Sequence, residues 1–222
     1  MRQRSCWVSV EGVNGVGKTY LTGRLATQLG TSWRLLSELT DHGADQLTGQ
    51  VIAALARPGG TFLRTGNPLT ETFALLASKV HEYERLATAT GGEPGPVLED
   101  RGVDSVAIYQ AAILAGTDRS AAPGLVARIH AAAVLWRPLP ALTLLIVDDL
   151  DSCVARFETR LSKTLDTTDR DLLAHVDDLY KHLAQSHPHR IRIVDRTGRG
   201  EDDVLDEMYA HCLTAEREAK TS

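Results

Sequence analysis

Apolar residues occur along the chain in two alternating patterns: short continuous runs, and longer segments in which they recur every three or four positions. The short runs predict buried strands, and the longer segments predict helices with one apolar face. Strands are predicted at 6–10, 33–36, 97–98, 142–147 and 191–194. Because strands alternate with helices, the pattern predicts βαβ units, in which a mainly parallel sheet is covered by helices on both faces.

Turn and capping residues delimit the predicted helices. A helix at 18–29 carries a leucine at every fourth position and is closed by Gly30. Asn67 and Pro68 are typical of a helix start, and they open a long helix that ends near residue 90. The residues predicted to share one face of that helix are Phe73, Leu76, Val80 and Tyr83. Further helices are predicted at 44–56, 104–115, 124–136, 151–161, 172–186 and after residue 202.

Length and composition limit the class of protein. A chain of 222 residues fits one α/β domain spanning 1–222. Hydrophobic residues make up 43% and charged residues 24%, which excludes disordered and fibrous classes. A formal net charge of -5 provides no basic field, so binding to a nucleic-acid backbone is disfavoured as the main function.

The cysteines and the apolar runs indicate the cellular setting. Three cysteines, far apart and without a CxxC pair, argue against a disulfide framework or a zinc site and favour a reducing cytoplasm. The longest apolar run, 139–147, is about half of the roughly 20 residues that a membrane helix needs. We therefore predict neither a membrane segment nor an export signal.

The segment EGVNGVGKTY, residues 11–20, lies between the first predicted strand and the first predicted helix. Its residues Gly12, Gly17, Lys18 and Thr19 satisfy the pattern GxxxxGK(S/T) of a phosphate-binding loop, or P-loop. Backbone N–H groups and the helix N-terminus can surround a polyphosphate where no Cβ intrudes, while lysine neutralises the β and γ oxygens and the hydroxyl holds Mg²⁺. The segment therefore predicts an ATP and Mg²⁺ site that includes Asn14 and Gly15.

A second polar motif, Asp100-Arg101, follows the strand predicted at 97–98. Polar residues at the carboxyl end of a buried strand lie in the crevice where parallel sheets bind ligands. There the carboxylate of Asp100 can order Mg²⁺ or its waters, and the guanidinium of Arg101 can grip a phosphate. We expect this pair beside the P-loop.

Together the two motifs resemble the thymidylate kinase family, within the wider nucleoside monophosphate kinases and deoxynucleoside kinases. Family members read EGxDGxGK(S/T), then Asp-Arg followed by Ser and Ala-Tyr-Gln, and this chain reads EGVNGVGKT and DRGVDSVAIYQ. The resemblance extends over nearly the whole chain. It implies a P-loop kinase fold with a five-stranded parallel sheet, a helical lid at about 156–170, and a homodimer. It also implies transfer of the γ-phosphoryl group of ATP to dTMP or a modified analogue.

The resemblance implies roles for residues of the acceptor pocket. Arg101 would hold the acceptor phosphate, while Tyr109 and Gln110 would line the nucleoside pocket. Leu75 occupies a position where an aromatic residue often stacks on the base. Lys79 occupies a position where an arginine often meets the base carbonyl.

Cations of the lid and of a late loop are expected on the donor side. Arg156, Arg160 and Lys163 recur at intervals of three to four residues, which places them on one helical face. On lid closure that face would stabilise charge on the transferring phosphoryl group. Arg196 lies in the loop 195–200, where family members often contact adenine.

The chain departs from the family pattern on the acceptor side. Asn14 replaces an aspartate that meets the sugar hydroxyl, and Ser37-Glu38-Leu39 replaces a motif that supplies a phosphate-binding arginine. Gly102 and Val106 replace an aromatic residue and a polar base-reading residue. These changes leave the donor motif intact and alter the acceptor motif.

Three functions are compatible with this pattern. The first is a thymidylate kinase-like nucleotide kinase, which the combined motifs favour. The second is a nucleoside or specialised-metabolite kinase, in which Glu38 would take a proton from an acceptor hydroxyl. The third is a nucleotide-binding switch without transfer activity, for which the lid arginines and Arg101 would have no use.

Overall fold

The fold is built on a five-stranded parallel sheet, described by a computed structural model that covers residues 6–43, 46–57, 60–91 and 94–221. The strands are β1 (Trp7–Glu11), β2 (Arg34–Leu36), β3 (Val97–Asp100), β4 (Leu142–Val147) and β5 (Ile191–Asp195). Their order across the sheet is β2-β3-β1-β4-β5, and all neighbours are parallel. The predicted sheet and its strands are confirmed.

Helices connect the strands and cover the sheet. They are α1 (Lys18–Leu29), α2 (Leu47–Leu55), α3 (Pro68–Thr90), α4 (Val103–Ala115), α5 (Ala122–Ala133), α6 (Leu150–Leu161), α7 (Thr167–Ser186) and α8 (Glu201–Thr221). Helix α1 and the start of α3 lie where the sequence predicts them. Among the helices of the described ranges, none has the length and hydropathy of a transmembrane span.

Among the boundaries that fall on described residues, two differ from the prediction by three residues or more, at the end of α5 and at the start of α7. The start predicted for α2 at residue 44 lies outside the described residues. Helix α5 ends at Ala133 rather than at residue 136, because the chain then turns through a hydrogen bond from Trp136 N–H to the Ala133 carbonyl. Helix α7 begins at Thr167 rather than at 172, because the Asp166 side chain accepts a hydrogen bond from Asp169 N–H and caps the helix.

The long helix α3 buries the predicted face only in part. Phe73 is 66% exposed, whereas Leu75 and Leu76 are buried. Lys79 and Glu82 are buried on the same helix. Of the predicted face, Leu76 is buried and Phe73 is not, and charged residues form part of the buried face of α3.

The strand order positions the two polar motifs next to each other. Strands β1 and β3 are neighbours, and Val10 is in register with Asp100. The P-loop leaves the carboxyl end of β1, and Arg101 follows the carboxyl end of β3. The crevice at this edge of the sheet therefore receives both motifs, as the topology of parallel sheets predicts.

Candidate active site

A cavity of about 880 Å³ opens at the carboxyl edge of the sheet. It brings together most of the site residues predicted from the sequence, namely Asn14, Gly15, Gly17, Lys18, Thr19, Glu38, Leu75, Lys79, Arg101, Tyr109, Gln110, Arg156 and Arg160. Asp100 directly precedes the lining residue Arg101, Gly12 lies two residues before Asn14, and Arg196 donates to the Val16 carbonyl. Its size is within the range of small-molecule sites in proteins.

The P-loop surrounds the side chain of Lys18. Lys18 is buried, and its Nζ donates a hydrogen bond of 2.7 Å to the Val13 carbonyl. Burial and the neighbouring Arg101 lower the pKa of Lys18 to about 7. The N-cap of α1, Gly17, directly precedes Lys18, so the positive end of the helix dipole also faces this loop.

At two glycines of the P-loop a side chain would meet neighbouring protein groups. A Cβ at Gly15 would lie 1.9 Å from the Cys153 carbonyl oxygen, and a Cβ at Gly17 would lie 2.5 Å from Arg196 Nη1. Both glycines also have a positive φ, 81° and 93°, which disfavours a side chain. The motif therefore accommodates neighbouring protein groups as well as phosphates.

Arg156 and Arg196 both bind backbone carbonyls of the P-loop. Arg156 Nε donates to the Gly15 carbonyl at 2.7 Å, and Arg196 Nη1 donates to the Val16 carbonyl at 2.6 Å. The lid role predicted for Arg156 and the adenine contact predicted for Arg196 stay predictions. Arg160 instead lies 5.1 Å from the centre of the Phe157 ring and lines the cavity.

The predicted lid is not a separate element in this structure. Its first half is the end of α6, which stops at Leu161, and its second half is the start of α7. Ser162 ends α6 in the left-handed conformation, with φ 50°. Lys163 therefore follows the helix, and its Nζ lies 3.1 Å from the Thr61 hydroxyl instead of sharing a helical face with the two arginines.

Arg101 lies at the centre of a group of side chains in the part of the cavity predicted to bind the acceptor. Its Nε lies 2.9 Å from Glu38 Oε1, its Nη2 donates to Asn14 Oδ1, and its guanidinium lies 5.5 Å from the centre of the Tyr109 ring. The Tyr109 hydroxyl also donates to Asn14 Oδ1 at 3.0 Å. Burial opposes ionisation of Glu38, but the nearby Arg101 and Lys18 outweigh it and lower the pKa of the carboxyl. The pair is therefore ionised at neutral pH.

The buried carboxylate of Glu11 fixes the backbone turn that carries Arg101. Glu11 Oε1 accepts a hydrogen bond of 2.7 Å from Gly102 N–H, and Oε2 accepts from the hydroxyls of Ser105 and Tyr180. Arg101 itself has a φ of 58°, an uncommon conformation for a residue with a side chain. Sequence reasoning missed Glu11, although a charged residue at the end of a buried strand is a signal for such a role.

Asp100 and Thr19 form a group suited to a hard cation. Asp100 is buried, hydrogen-bonds the Thr19 side chain, and has an Oδ1 atom without a hydrogen-bond partner among the described residues. Burial and the nearby Glu38 raise the pKa of Asp100. In the described ranges, no three His, Cys, Asp or Glu residues are grouped so that they could hold a metal ion by themselves. Proteins usually bind Mg²⁺ through one or two side chains of this kind, and substrate phosphates and water complete the coordination.

The far end of the cavity contains Leu75, Lys79 and Gln110. Lys79 is 1% exposed, and its Nζ lies 3.0 Å from Glu82 Oε2 and 3.1 Å from Glu99 Oε1. The Thr72 hydroxyl donates to Gln110 Oε1 at 3.0 Å. Lys79 therefore lines the cavity, but Glu82 and Glu99 neutralise its charge.

Glu99 is the central anion of this buried group. Besides Lys79, it binds both terminal nitrogens of Arg137, at 3.1 and 3.0 Å, and accepts a hydrogen bond of 2.7 Å from Trp7 Nε1. No role was predicted from the sequence for Glu99, Arg137 or Trp7. They come from separate parts of the chain, and periodicity carries no signal for such a contact.

Comparisons with known proteins support the interpretation of this cavity. The family model "Thymidylate kinase" matches residues 10–207. The thymidylate kinase of Cereibacter sphaeroides is 27% identical over 212 residues, which cover 91% of this chain and 92% of that protein. The thymidylate kinase structure from Ehrlichia chaffeensis has a TM-score of 0.67 at 19% identity, covering 93% of this chain and 98% of its own. The thymidylate kinase structure from Candida albicans has a TM-score of 0.66 at 19% identity, and the match covers 95% of this chain and 92% of that one.

Proposed function

Because the chain belongs to the thymidylate kinase family and is an ATP-dependent nucleotide kinase, we propose that its preferred acceptor is a nucleoside 5′-monophosphate, namely dTMP. The observation that carries this proposal is the position of Arg101, whose guanidinium lines the same cavity as Lys18 of the P-loop. A cation at the acceptor side suits a phosphate more than a neutral hydroxyl, because guanidinium and phosphate form charge-assisted hydrogen bonds.

On the donor side, Lys18 and the loop amides bind the β- and γ-phosphates of ATP. When ATP binds, Lys18 breaks its hydrogen bond to the Val13 carbonyl and turns toward the phosphates. Their negative charge favours the protonated form of the Lys18 side chain. Arg160 lines the cavity and is exposed, so it is the lid residue that we assign to the transferring phosphoryl group. The protein then accelerates transfer by positioning the two substrates and by stabilising the charge on the transferring phosphoryl group.

Mg²⁺ is the proposed metal cofactor, and Thr19 and Asp100 are the residues that would hold it. Support comes from the buried Oδ1 atom of Asp100, which is unpartnered among the described residues. When bound, the ion would neutralise charge on the donor phosphates. Replacing Asp100 with Asn should raise the Mg²⁺ concentration needed for half-maximal rate. An unchanged Mg²⁺ requirement would contradict this assignment.

On the acceptor side, Arg101 holds the phosphate while Tyr109 and Asn14 lie next to the sugar. The base occupies the end of the cavity that contains Leu75, Lys79 and Gln110. Lys79 and the Gln110 amide can donate hydrogen bonds, and thymine presents carbonyl oxygens that accept them. The apolar Leu75 contacts the base without the stacking that an aromatic residue would give.

A coupled ATP-consumption assay with panels of nucleosides and nucleoside monophosphates tests the proposal. We expect dTMP to have the highest kcat/KM, and ATP consumption to depend on the acceptor. A preference for nucleosides would instead support the second function below. ATP binding without acceptor-dependent consumption would support a non-catalytic nucleotide-binding protein.

The second candidate is a kinase for nucleosides or another small metabolite, with Glu38 as general base. The observation in its favour is the Glu38 carboxylate, which lines the cavity and is ionised beside Arg101. Such a carboxylate would repel an incoming phosphate but could accept a proton from a hydroxyl. Variants of Glu38 separate the two functions, as described in the Discussion.

We also propose a cytoplasmic homodimer. The residues that follow α5 are apolar and exposed, with Leu135 72% and Trp136 69% exposed, which suits an interface between two copies of the chain. The cysteines Cys6, Cys153 and Cys212 are buried and free, as suits a reducing compartment. Sedimentation analysis of the protein and of a Trp136→Ser variant tests the dimer, which should dissociate in the variant. Cell fractionation tests the location.

A further inference from the structure

Asp148 lies directly after β4 and is the shared anion of two arginines. Its Oδ2 atom lies 2.6 Å from Arg156 Nη2 and 3.5 Å from Arg196 Nε. Its side chain is 10% exposed, although both arginines are considerably more exposed. The other carboxylate oxygen accepts a hydrogen bond of 2.8 Å from the N–H of Asp149, which fixes the orientation of the group.

The same two arginines bind consecutive carbonyl groups of the P-loop. Arg156 donates to the Gly15 carbonyl, and Arg196 donates to the Val16 carbonyl. Arg156 comes from α6 and Arg196 from the segment after β5, so separate parts of the chain converge on one loop. Each guanidinium thus bridges the Asp148 carboxylate and a loop carbonyl.

These contacts determine which way the loop amides face. The Val16 carbonyl and the Gly17 N–H belong to one peptide group, and in a trans peptide they point in opposite directions. Because Arg196 holds the Val16 carbonyl, the Gly17 N–H is directed away from Arg196. Donor phosphates bind to such N–H groups. Because the groups are oriented before the nucleotide binds, less binding free energy is lost in ordering the loop.

We propose that Asp148 is a positioning residue for the donor nucleotide, which acts by holding Arg156 and Arg196 on the P-loop carbonyls. The proposal rests on the donor half of the proposed function and is independent of the identity of the acceptor. Without the carboxylate, two neighbouring guanidinium groups repel each other and release the loop. With the Asp148 carboxylate in place, the loop already has the conformation that binds phosphates.

The neutral variant Asp148→Asn tests this proposal in the full-length protein. The matched control is Asp149→Asn, which changes an adjacent carboxylate but keeps the cap that accepts a hydrogen bond from Ser152 N–H. ADP with Mg²⁺ is the probe, and its affinity is measured by calorimetry without any acceptor. We expect Asp148→Asn to weaken ADP binding by roughly tenfold, as expected for loss of a partly buried charged contact. Asp149→Asn should stay within about twofold of the unmodified protein.

A double-mutant cycle distinguishes positioning from general stabilisation. If Asp148 acts through Arg196, the double variant Asp148→Asn, Arg196→Gln should bind ADP no more weakly than the weaker single variant. The KM of the acceptor should change by less than about twofold in Asp148→Asn, since the acceptor side is unaffected. ADP affinity within twofold of normal, additive effects of the two substitutions, or equal losses for both substrates would each overturn the proposal. Because ADP binding needs no acceptor, failure of dTMP as substrate would leave this result unaffected.

Discussion

Arg101 Nε lies 2.9 Å from Glu38 Oε1, so the guanidinium proposed to hold the acceptor phosphate is paired with a carboxylate of the protein. Both side chains are largely buried, at 11% and 19% exposure. An incoming phosphate must therefore compete with Glu38 for Arg101 or bind beside it. The ion pair restrains Arg101 in the unliganded protein and at the same time weakens its attraction for the acceptor.

Replacing Glu38 with Gln should improve the binding of dTMP. The variant removes a negative charge next to the phosphate and leaves Arg101 without its carboxylate partner, so the KM should fall roughly two- to fivefold, which corresponds to about 0.4–1 kcal/mol of binding free energy. Steady-state kinetics with saturating ATP measures the change. The control is Asp41→Asn, a second acidic residue in the cavity lining, which should leave the KM within about twofold.

The same Glu38 variant tests the alternative function. A general base typically accelerates a reaction by about 10²–10⁴-fold. If Glu38 is the base of a nucleoside kinase, the variant should lose turnover by a factor of that size with a nucleoside. A loss of that size with dTMP would contradict the proposed role of Arg101 and Glu38 in phosphate binding.

Replacing Arg101 with Ala should damage use of the acceptor much more than binding of ATP. We expect kcat/KM for dTMP to fall by roughly 100-fold, the typical effect of removing one preorganised charge-stabilising group. Calorimetry without acceptor should show ATP affinity within about threefold of normal, because Lys18 and the loop amides are unchanged. An equal loss for both substrates would show that Arg101 supports the P-loop through Asn14 and does not bind the acceptor.

ATP binding should take up close to one proton at pH 8. Burial and Arg101 lower the pKa of Lys18 to about 7, so the ammonium group is mostly neutral at this pH in the free protein. Bound phosphates favour the charged form, and the proton comes from the buffer. Calorimetry in buffers with different ionisation enthalpies measures the uptake, which should disappear near pH 5.5. In Lys18→Arg the group stays charged, so the uptake should be absent; its persistence would exclude Lys18 as the source.

Replacing Glu99 with Gln should destabilise the protein at neutral pH. The substitution leaves Arg137 and Lys79 buried with one anion fewer. Such a change typically lowers the free energy of unfolding by about 3–5 kcal/mol. Urea unfolding measures the loss. Glu216→Gln, which breaks a pair with the exposed Lys220, is the control and should lower the free energy of unfolding by less than about 1 kcal/mol.

The pH dependence of unfolding tests the same carboxylate. Arg137 and Lys79 outweigh the effect of burial and lower the pKa of Glu99 to about 2. The unfolded chain therefore binds a proton before the folded one does, and the stability from Glu99 is present above about pH 4.5 and lost as the pH falls toward 2. In Glu99→Gln this acid-dependent loss should be smaller. An unchanged pH profile would show that other carboxylates dominate acid unfolding.

Local features of the chain were predictable from the sequence. The strand, the P-loop and α1 are consecutive, and the capping and glycine requirements that define them are properties of neighbouring residues. The N-cap at Asp166 is equally local, but apolar spacing alone placed the start of α7 too late. Five strands alternating with helices also determined a parallel sheet, because parallel neighbours require such crossovers.

The pairing of charges was decided by the tertiary structure. Glu99 meets Arg137, Arg101 meets Glu38, and Asp148 meets Arg196, although the members of each pair are far apart in sequence. Burial of a charge is unfavourable unless a partner is present, and the strand order and the helices packed on the sheet determine which partner is near. The sequence by itself therefore determined the donor loop and its chemistry, whereas the fold determined which cations are available to a substrate and which are held by the protein.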